Sequence, residues 1–331
     1  MSTVTAAASA KGAAARLPAA AGARRTAWAD RLCRGVLAAF AALVLAIAGL
    51  ILIETARGSA PSISAFGLGF LRATEWDPVA ERFGALPYLY GTLVSAALAL
   101  ILALPLGIGT AVFLAELAPP RVGEAVAFLV ELLAAIPSIV YGIWGVFVLA
   151  PWLRVALEPW LIKHLGFLPL FRGYPFGIGM LNAGIVLAVM VSPTIISLSR
   201  QILLALPGSL REAALAMGAT RAEAIGVMLD GARPGLLGAA ILGLGRALGE
   251  TMAVTMVIGN TNRISASLLA PGATMASVIA NEFTEATGKL YLSALTEIAL
   301  VLFALTVVVN ALARLLVRSA TGARRDIAGA A

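Results

Sequence analysis

One cysteine, Cys33, and one histidine, His164, are all that the chain offers of those two residue types. A single thiol forms no internal disulfide, and no His/Cys metal cluster can be assembled from such a pair, so neither a metal nor a cofactor is expected. Charge is also scarce, at 12% of 331 residues against 60% apolar. With the 33 glycines the share that sits comfortably in an apolar phase reaches about 70%, where soluble domains run near 45–50%. This excludes a disordered chain, a coiled coil and an ordinary soluble enzyme, and leaves an integral membrane protein. A phosphate-cradling G-x-x-x-x-G-K-[ST] loop is missing: the Gly288–Lys289 pair is followed by Leu290. Any ATP-driven work therefore has to come from a partner. No convergent His, Cys or paired-carboxylate set supports a catalytic centre either, which disfavours a membrane-embedded enzyme.

What the chain does have is long uncharged runs. About 20 apolar residues cross a bilayer core, and such windows fall at 35–53, 83–115, 132–153, 173–199, 235–262 and 290–313. The fifth carries Arg246 and Glu250, and the sixth carries Glu297. Six spans put both ends on one side. The net charge is +7, and all but three of the 24 cations are arginine. Their distribution argues for topology rather than for nucleic acid: 15 fall in the segments that would be cytoplasmic and 8 in the opposite loops, so both termini are expected inside. Residues 1–34 then read as a basic, disordered cytoplasmic tail, 35–55 as a retained anchor helix rather than a signal peptide, 56–84 as an extracytoplasmic loop and 316–331 as a second cytoplasmic tail. Trp76, Tyr88 and Tyr90 suit an interfacial aromatic belt, Pro105, Pro137 and Pro193 are expected to kink their spans, and Asn281, Glu282 and Glu285 read as a solvated face.

The stretch 200–234 carries the most local signals. Pro207–Gly208 ends a span, and Ser209 with Glu212 forms a capping-box pattern that starts a short helix over 210–217. Gly218 supplies a left-handed stop, and Thr220 with Glu223 repeats the box and starts a second short helix towards Leu229. On physics alone three readings stand open: a connector lying on lipid headgroups, a docking knob for a cytosolic partner, and a DNA-binding helix-turn-helix. The last has a weak phosphate footprint, four arginines against Glu212, Glu223 and Asp230.

At this loop the sequence resembles the permease subunits of ABC importers. Arg211-Glu212-Ala213-Ala214, three residues and Gly218 match the EAA signature, by which such permeases seat a coupling helix on the ATPase subunit, although Leu229 is followed by Asp230 instead of the family's proline. Further strings are similar to PstC-type subunits of phosphate-specific importers: Phe83-Gly84-Ala85-Leu86-Pro87 with Tyr90-Gly91-Thr92-Leu93, the run from Glu131 to Gly142, the run from Gly245 to Val254, and Ala280-Asn281-Glu282-Phe283. The resemblance implies an all-α, six-span inner-membrane permease of the type-1 ABC importer fold, with its core at 85–315 and its coupling loop at 200–234. It also implies a PstA-type second permease subunit, two ATP-hydrolysing subunits and an extracytoplasmic phosphate-binding protein as partners. Importers of molybdate or sulfate, and an ion-coupled carrier, are the competing readings.

Arg246 and Glu250, four apart in one span, are expected to share a helix face. A charge at mid-bilayer costs about 2.5–3.5 kcal/mol even on a lenient scale, so such residues face an interior or an aqueous path. Two roles are compatible: a mutual ion pair that glues helices, or Arg246 offering a forked donor set to an oxyanion while Glu250 holds and competes for it. Gly245 and Gly249 form a G-x-x-x-G that lets another helix approach closely.

Overall fold

The computed structural model describes residues 22–328, with side chains at 31–315 and 317. Among the described residues there is no strand, and six helices are long and apolar enough to cross a membrane. They belong to α1 (Gly22–Phe66), α2 (Leu86–Leu117), α4 (Ser138–Leu165), α5 (Met180–Leu204), α7 (Arg221–Leu248) and α10 (Lys289–Ala328). Between them lie α3 (Pro120–Ala135), α6 (Gly208–Ala216), α8 (Met252–Val257) and α9 (Met275–Glu282).

The chain divides into two units at Glu54. The first holds the N-terminal part of α1, where Leu37, Phe40 and Leu45 are exposed, as on a helix bathed in lipid. Residues 1–21 of the expected tail lie outside the described residues, and the rest of it, from Gly22, is helical. In the second unit α1 runs on to Phe66, through Pro61, so the chain leaves the helix only after Phe66 and not at 56. Similarly α10 continues to Ala328 and takes up most of the expected tail at 316–331.

The core of the second unit forms where α2 crosses α5, the most extensive helix pair. Lipid supplies no hydrophobic drive between spans, so small residues that permit close backbones do the work. Ala96, Ala99, Ala103 and Gly107 line the buried face of α2. A Cβ on Gly107 would lie 2.7 Å from Ile195 Cγ2, and one on Gly184 2.4 Å from Leu98 Cδ2. Gly243 of α7 enters the same contact against Val191 and Ile195.

Two spans differ from the hydropathy windows. The third is not one rod over 132–153: Ile136, which precedes Pro137, takes an extended conformation (ψ 129°) because the proline ring clashes with a helical neighbour. The helix restarts at Ser138 and runs to Leu165. It passes Pro151 between two π turns, Gly145–Leu149 and Leu153–Leu157, which relieve the contact a proline makes with the preceding turn. The fifth span is displaced as well. Pro234 does not interrupt α7, so the second short helix expected in the 200–234 loop and the fifth span are one continuous helix. It ends at Leu248, and residues 249–283 fold into two short helices and a loop that is only partly buried, with Arg263 and Ile264 exposed. Gly259 (φ +93°) and Asn260 (φ +48°) turn that loop, and Gly272 N donates to Ile258 O at 3.0 Å.

Candidate coupling loop and membrane arginine site

The loop at 200–234 is built largely as its local signals specify. Helix α6 closes in a Schellman turn: Ala219 N donates to Ala214 O (3.1 Å) and Gly218 N to Leu215 O (3.0 Å), with Gly218 at φ +87°, a region that costs other residues. Nothing lies within 4 Å of where a Gly218 Cβ would stand, so the requirement for glycine is a backbone one. Two residues later Thr220 caps α7. Glu223 N donates to Thr220 Oγ1 (3.3 Å), and Thr220 N donates to Glu223 Oε2 (2.7 Å), which satisfies two orphan donors reciprocally. The other expected box is not formed. Pro207 occupies the N-cap of α6, without a side-chain cap bond, and Ser209 lies inside the first turn. Proline's preset φ starts the helix earlier than the serine signal does.

The residues of the EAA-like string divide between two faces. Ala214 is buried, whereas Glu212 and Ala213 are exposed beside Leu210, Leu215 and Met217, the last 88% exposed. Most of the apolar side chains of α6 therefore face outward. Arg211 turns inward: its Nη1 lies 3.1 Å from Glu116 Oε2. Glu116 stands in the π turn that ends α2, and no sequence signal marks it, because a lone acid near a helix end is unremarkable by pattern.

Arg246 and Glu250 do not share a helix face. Arg246 sits in the last turn of α7, a favourable place for a cation near unpaired carbonyls. Gly249 closes the helix, its N–H donating to Gly245 O at 3.3 Å. Glu250 belongs to the next element, where its Oε1 accepts from Ala253 N (3.3 Å) at the start of α8. Among the described residues the two form no ion pair. The physical reason is the break between Leu248 and Thr251: once the helix ends, an i,i+4 spacing no longer places side chains together. Arg246 is exposed, within electrostatic reach of the Tyr141 hydroxyl.

The strings Glu131 to Gly142 and Gly245 to Val254 meet here. Gly142 and Gly145 of α4 let α8 approach so closely that a Cβ on Gly142 would lie 2.8 Å from Met256 Sδ, and one on Gly145 2.6 Å from Val257 Cγ1. Tyr141 Oη donates to Leu133 O (2.7 Å), a carbonyl freed by the Pro137 break.

The strings that begin at Phe83 and Ala280 come together elsewhere, around α9. Gly91 packs so tightly on Ala273 that a Cβ would sit 2.0 Å from its carbonyl oxygen, and Met275 N donates to Thr92 Oγ1 (3.0 Å). Trp76 is buried, edge-on to Phe83 at 4.9 Å and to Tyr88 at 5.1 Å, not part of an interfacial belt. Glu282 is no solvated carboxylate: its Oε2 accepts from Trp76 Nε1 (2.6 Å) and Tyr291 Oη (2.7 Å). Glu297 is buried near Ser62, far along the sequence from any partner that spacing rules inspect.

Comparison with known proteins agrees with this architecture. Residues 103–322 match the family model described as binding-protein-dependent transport system inner membrane component. Proteins named phosphate transport system permease protein PstC are similar over most of their length. That of Mesorhizobium japonicum is 45% identical over 88% of this chain and 90% of its own. That of Haemophilus influenzae is 46% identical over 88% and 93%. A probable PstC of Methanocaldococcus jannaschii is 37% identical over 76% and 81%. Among solved structures, an inward-facing MetNI methionine ABC transporter superimposes with a TM-score of 0.52 at 20% identity, covering 70% of this chain and 94% of that one, which speaks for the fold.

Proposed function

This chain belongs to the family of binding-protein-dependent transport system inner membrane components, and from that premise we propose that it is the PstC-type half of a phosphate importer's translocation pathway. As a member it is a multi-pass protein of the inner membrane. The observation that carries the phosphate reading is the 45% identity over 88% of the chain to a protein named for phosphate transport. Molybdate, sulfate and ion-coupled alternatives have no comparable support.

In this reading a second, PstA-type permease completes the pathway, two ATP-hydrolysing subunits supply the work, and an extracytoplasmic binding protein delivers phosphate. The exposed face of α6, with Glu212, Ala213, Leu215 and Met217, seats on an ATPase subunit. Gly218 and the Thr220–Glu223 box aim that helix relative to α7. Arg246 meets the anion where α7 ends: it is exposed in the isolated chain, as expected of a residue that faces a path shared with a second subunit, and its guanidinium suits an oxyanion's forked geometry. Glu250 holds the start of α8 and limits how long the anion stays. ATP-driven displacement of α6 tilts the spans and alternates access.

The test is reconstitution of the complete transporter with its binding protein. Phosphate should stimulate ATP hydrolysis and accumulate in the vesicles, and molybdate and sulfate should do neither; stimulation by either of those anions alone reassigns the substrate. Orientation is tested separately. With Cys33 removed, a cysteine placed at Arg221 should react with an impermeant reagent only after the inner membrane is opened, and labelling of intact spheroplasts would reverse the assigned topology.

A further inference from the structure

The contact between Arg211 and Glu116 has a geometry that ATPase docking does not require. Helix α2 ends in a π turn, Phe113–Leu117, closed by Ala118 N donating to Phe113 O at 2.8 Å. One extra residue in the turn rotates the residues beyond it by about 100° relative to a regular α-helix. Pro119 and Pro120 then forbid its continuation. The side chain of Glu116 is left only 8% exposed, with Arg211 Nη1 at 3.1 Å and the Arg211 side chain 46% exposed. Arg221, the first residue of α7, lines the same cleft with Leu215 and Ala224. A buried carboxylate is costly unless it is paired, and among the described residues the ion-pair partner of Glu116 is Arg211 of α6.

The cleft therefore joins three elements at one charge: the end of α2, the short helix α6 and the start of α7. Helix α6 packs against α7 and buries little of its own surface, whereas α2 is locked along its length to α5 by close small-residue contacts. We propose that the Glu116–Arg211 pair is a strut that makes α2 move with α6, so that displacement of the cytoplasmic helix reaches the α2–α5 core directly and not only along α7. Glu116 is a positioning residue that acts through Arg211. The proposal rests on the reading of α6 as the ATPase-coupling helix.

The experiment uses the complete transporter in proteoliposomes with its binding protein and phosphate, in a background lacking Cys33. Two quantities are read: phosphate taken up per ATP hydrolysed, and cross-linking of a Met217→Cys variant to the ATPase subunit. Glu116→Gln should keep the cross-link and lower phosphate moved per ATP about tenfold, a usual size for inter-site coupling. The charge swap E116R/R211E should recover part of that ratio because it restores an opposite-charge pair, and only part because Arg221 in the same cleft opposes a cation at 116. A direct role of Arg211 with the ATPase would not be restored by the swap. An unchanged ratio in Glu116→Gln, or a swap that accumulates yet does no better than Glu116→Gln, overturns the strut. If Glu116→Gln fails to accumulate, Glu116→Asp, which keeps the charge one methylene further away, takes its place with the same two outcomes. Absence of the Met217 cross-link in the otherwise unchanged protein overturns the coupling reading instead, so the two failures are distinguishable.

Discussion

The two ends of α7 are closed by different physics. At its start, every contact that stops the preceding helix and starts the new one lies within a few residues of Gly218: the Schellman turn there and the reciprocal bonds of Thr220 and Glu223. At its end, the helix stops at Leu248 although the apolar pattern runs on, and Glu250 turns away to hold α8. The first end is a local device and aims a surface helix. The second separates two charges that spacing alone would pair, leaving Arg246 exposed.

The most severe way to probe that difference is at the second end. Arg246→Gln should lower phosphate uptake about 10- to 150-fold while the complex still assembles, the equivalent of the ~1.5–3 kcal/mol of hydrogen bonds to charged groups. Because no ion pair joins Arg246 to Glu250, replacing both with apolar residues should not restore uptake. Robust accumulation of radiolabelled phosphate by that double variant would show that the two act as a structural pair. Glu250→Gln should be the milder lesion, since an amide oxygen still accepts from Ala253 N.

Next in size is the local turn. Gly218→Val should cost about 1–2 kcal/mol of left-handed backbone strain and misaim α6. The protein should remain at normal levels in the membrane but lose phosphate-dependent stimulation of ATP hydrolysis, and stimulation at the unaltered level would remove Gly218 from the coupling role. Thr220→Ala should cost ~1 kcal/mol through its lost cap, read as a lowered melting temperature in detergent. Smallest is the contrast with the serine that looks equivalent in sequence. Ser209→Ala should change stability by less than about 0.5 kcal/mol, because Ser209 caps nothing; a loss equal to that of Thr220→Ala would restore the second capping box.

Features are legible from pattern in proportion to how local they are. Gly218 and the Thr220–Glu223 box can be placed to the residue, and the composition settles the membrane class. Ser209 misleads because Pro207, two positions earlier, supplies a stronger start. Hydropathy windows locate six spans but not all their limits: averaging over about 20 residues is blind to a single Ile136–Pro137 break and carries the fifth span past Leu248. A proline after an apolar residue is the signal that divides the third span, but pattern alone does not distinguish such a break from a kink.

From the sequence alone came the six apolar runs, the turn at Gly218, the cap at Thr220 and the strings that identify the family, because each depends on residues adjacent in the chain or on bulk composition. The tertiary structure alone decided that Trp76 and Tyr291 share Glu282, that Glu116 is buried against Arg211, and that Gly91 must stay glycine beneath Ala273. Those contacts join residues 9 to 206 positions apart, and whether a polar group is exposed, paired or buried follows from which distant helix comes to lie against it. A carboxylate's neighbours, unlike a helix cap's, are chosen by packing.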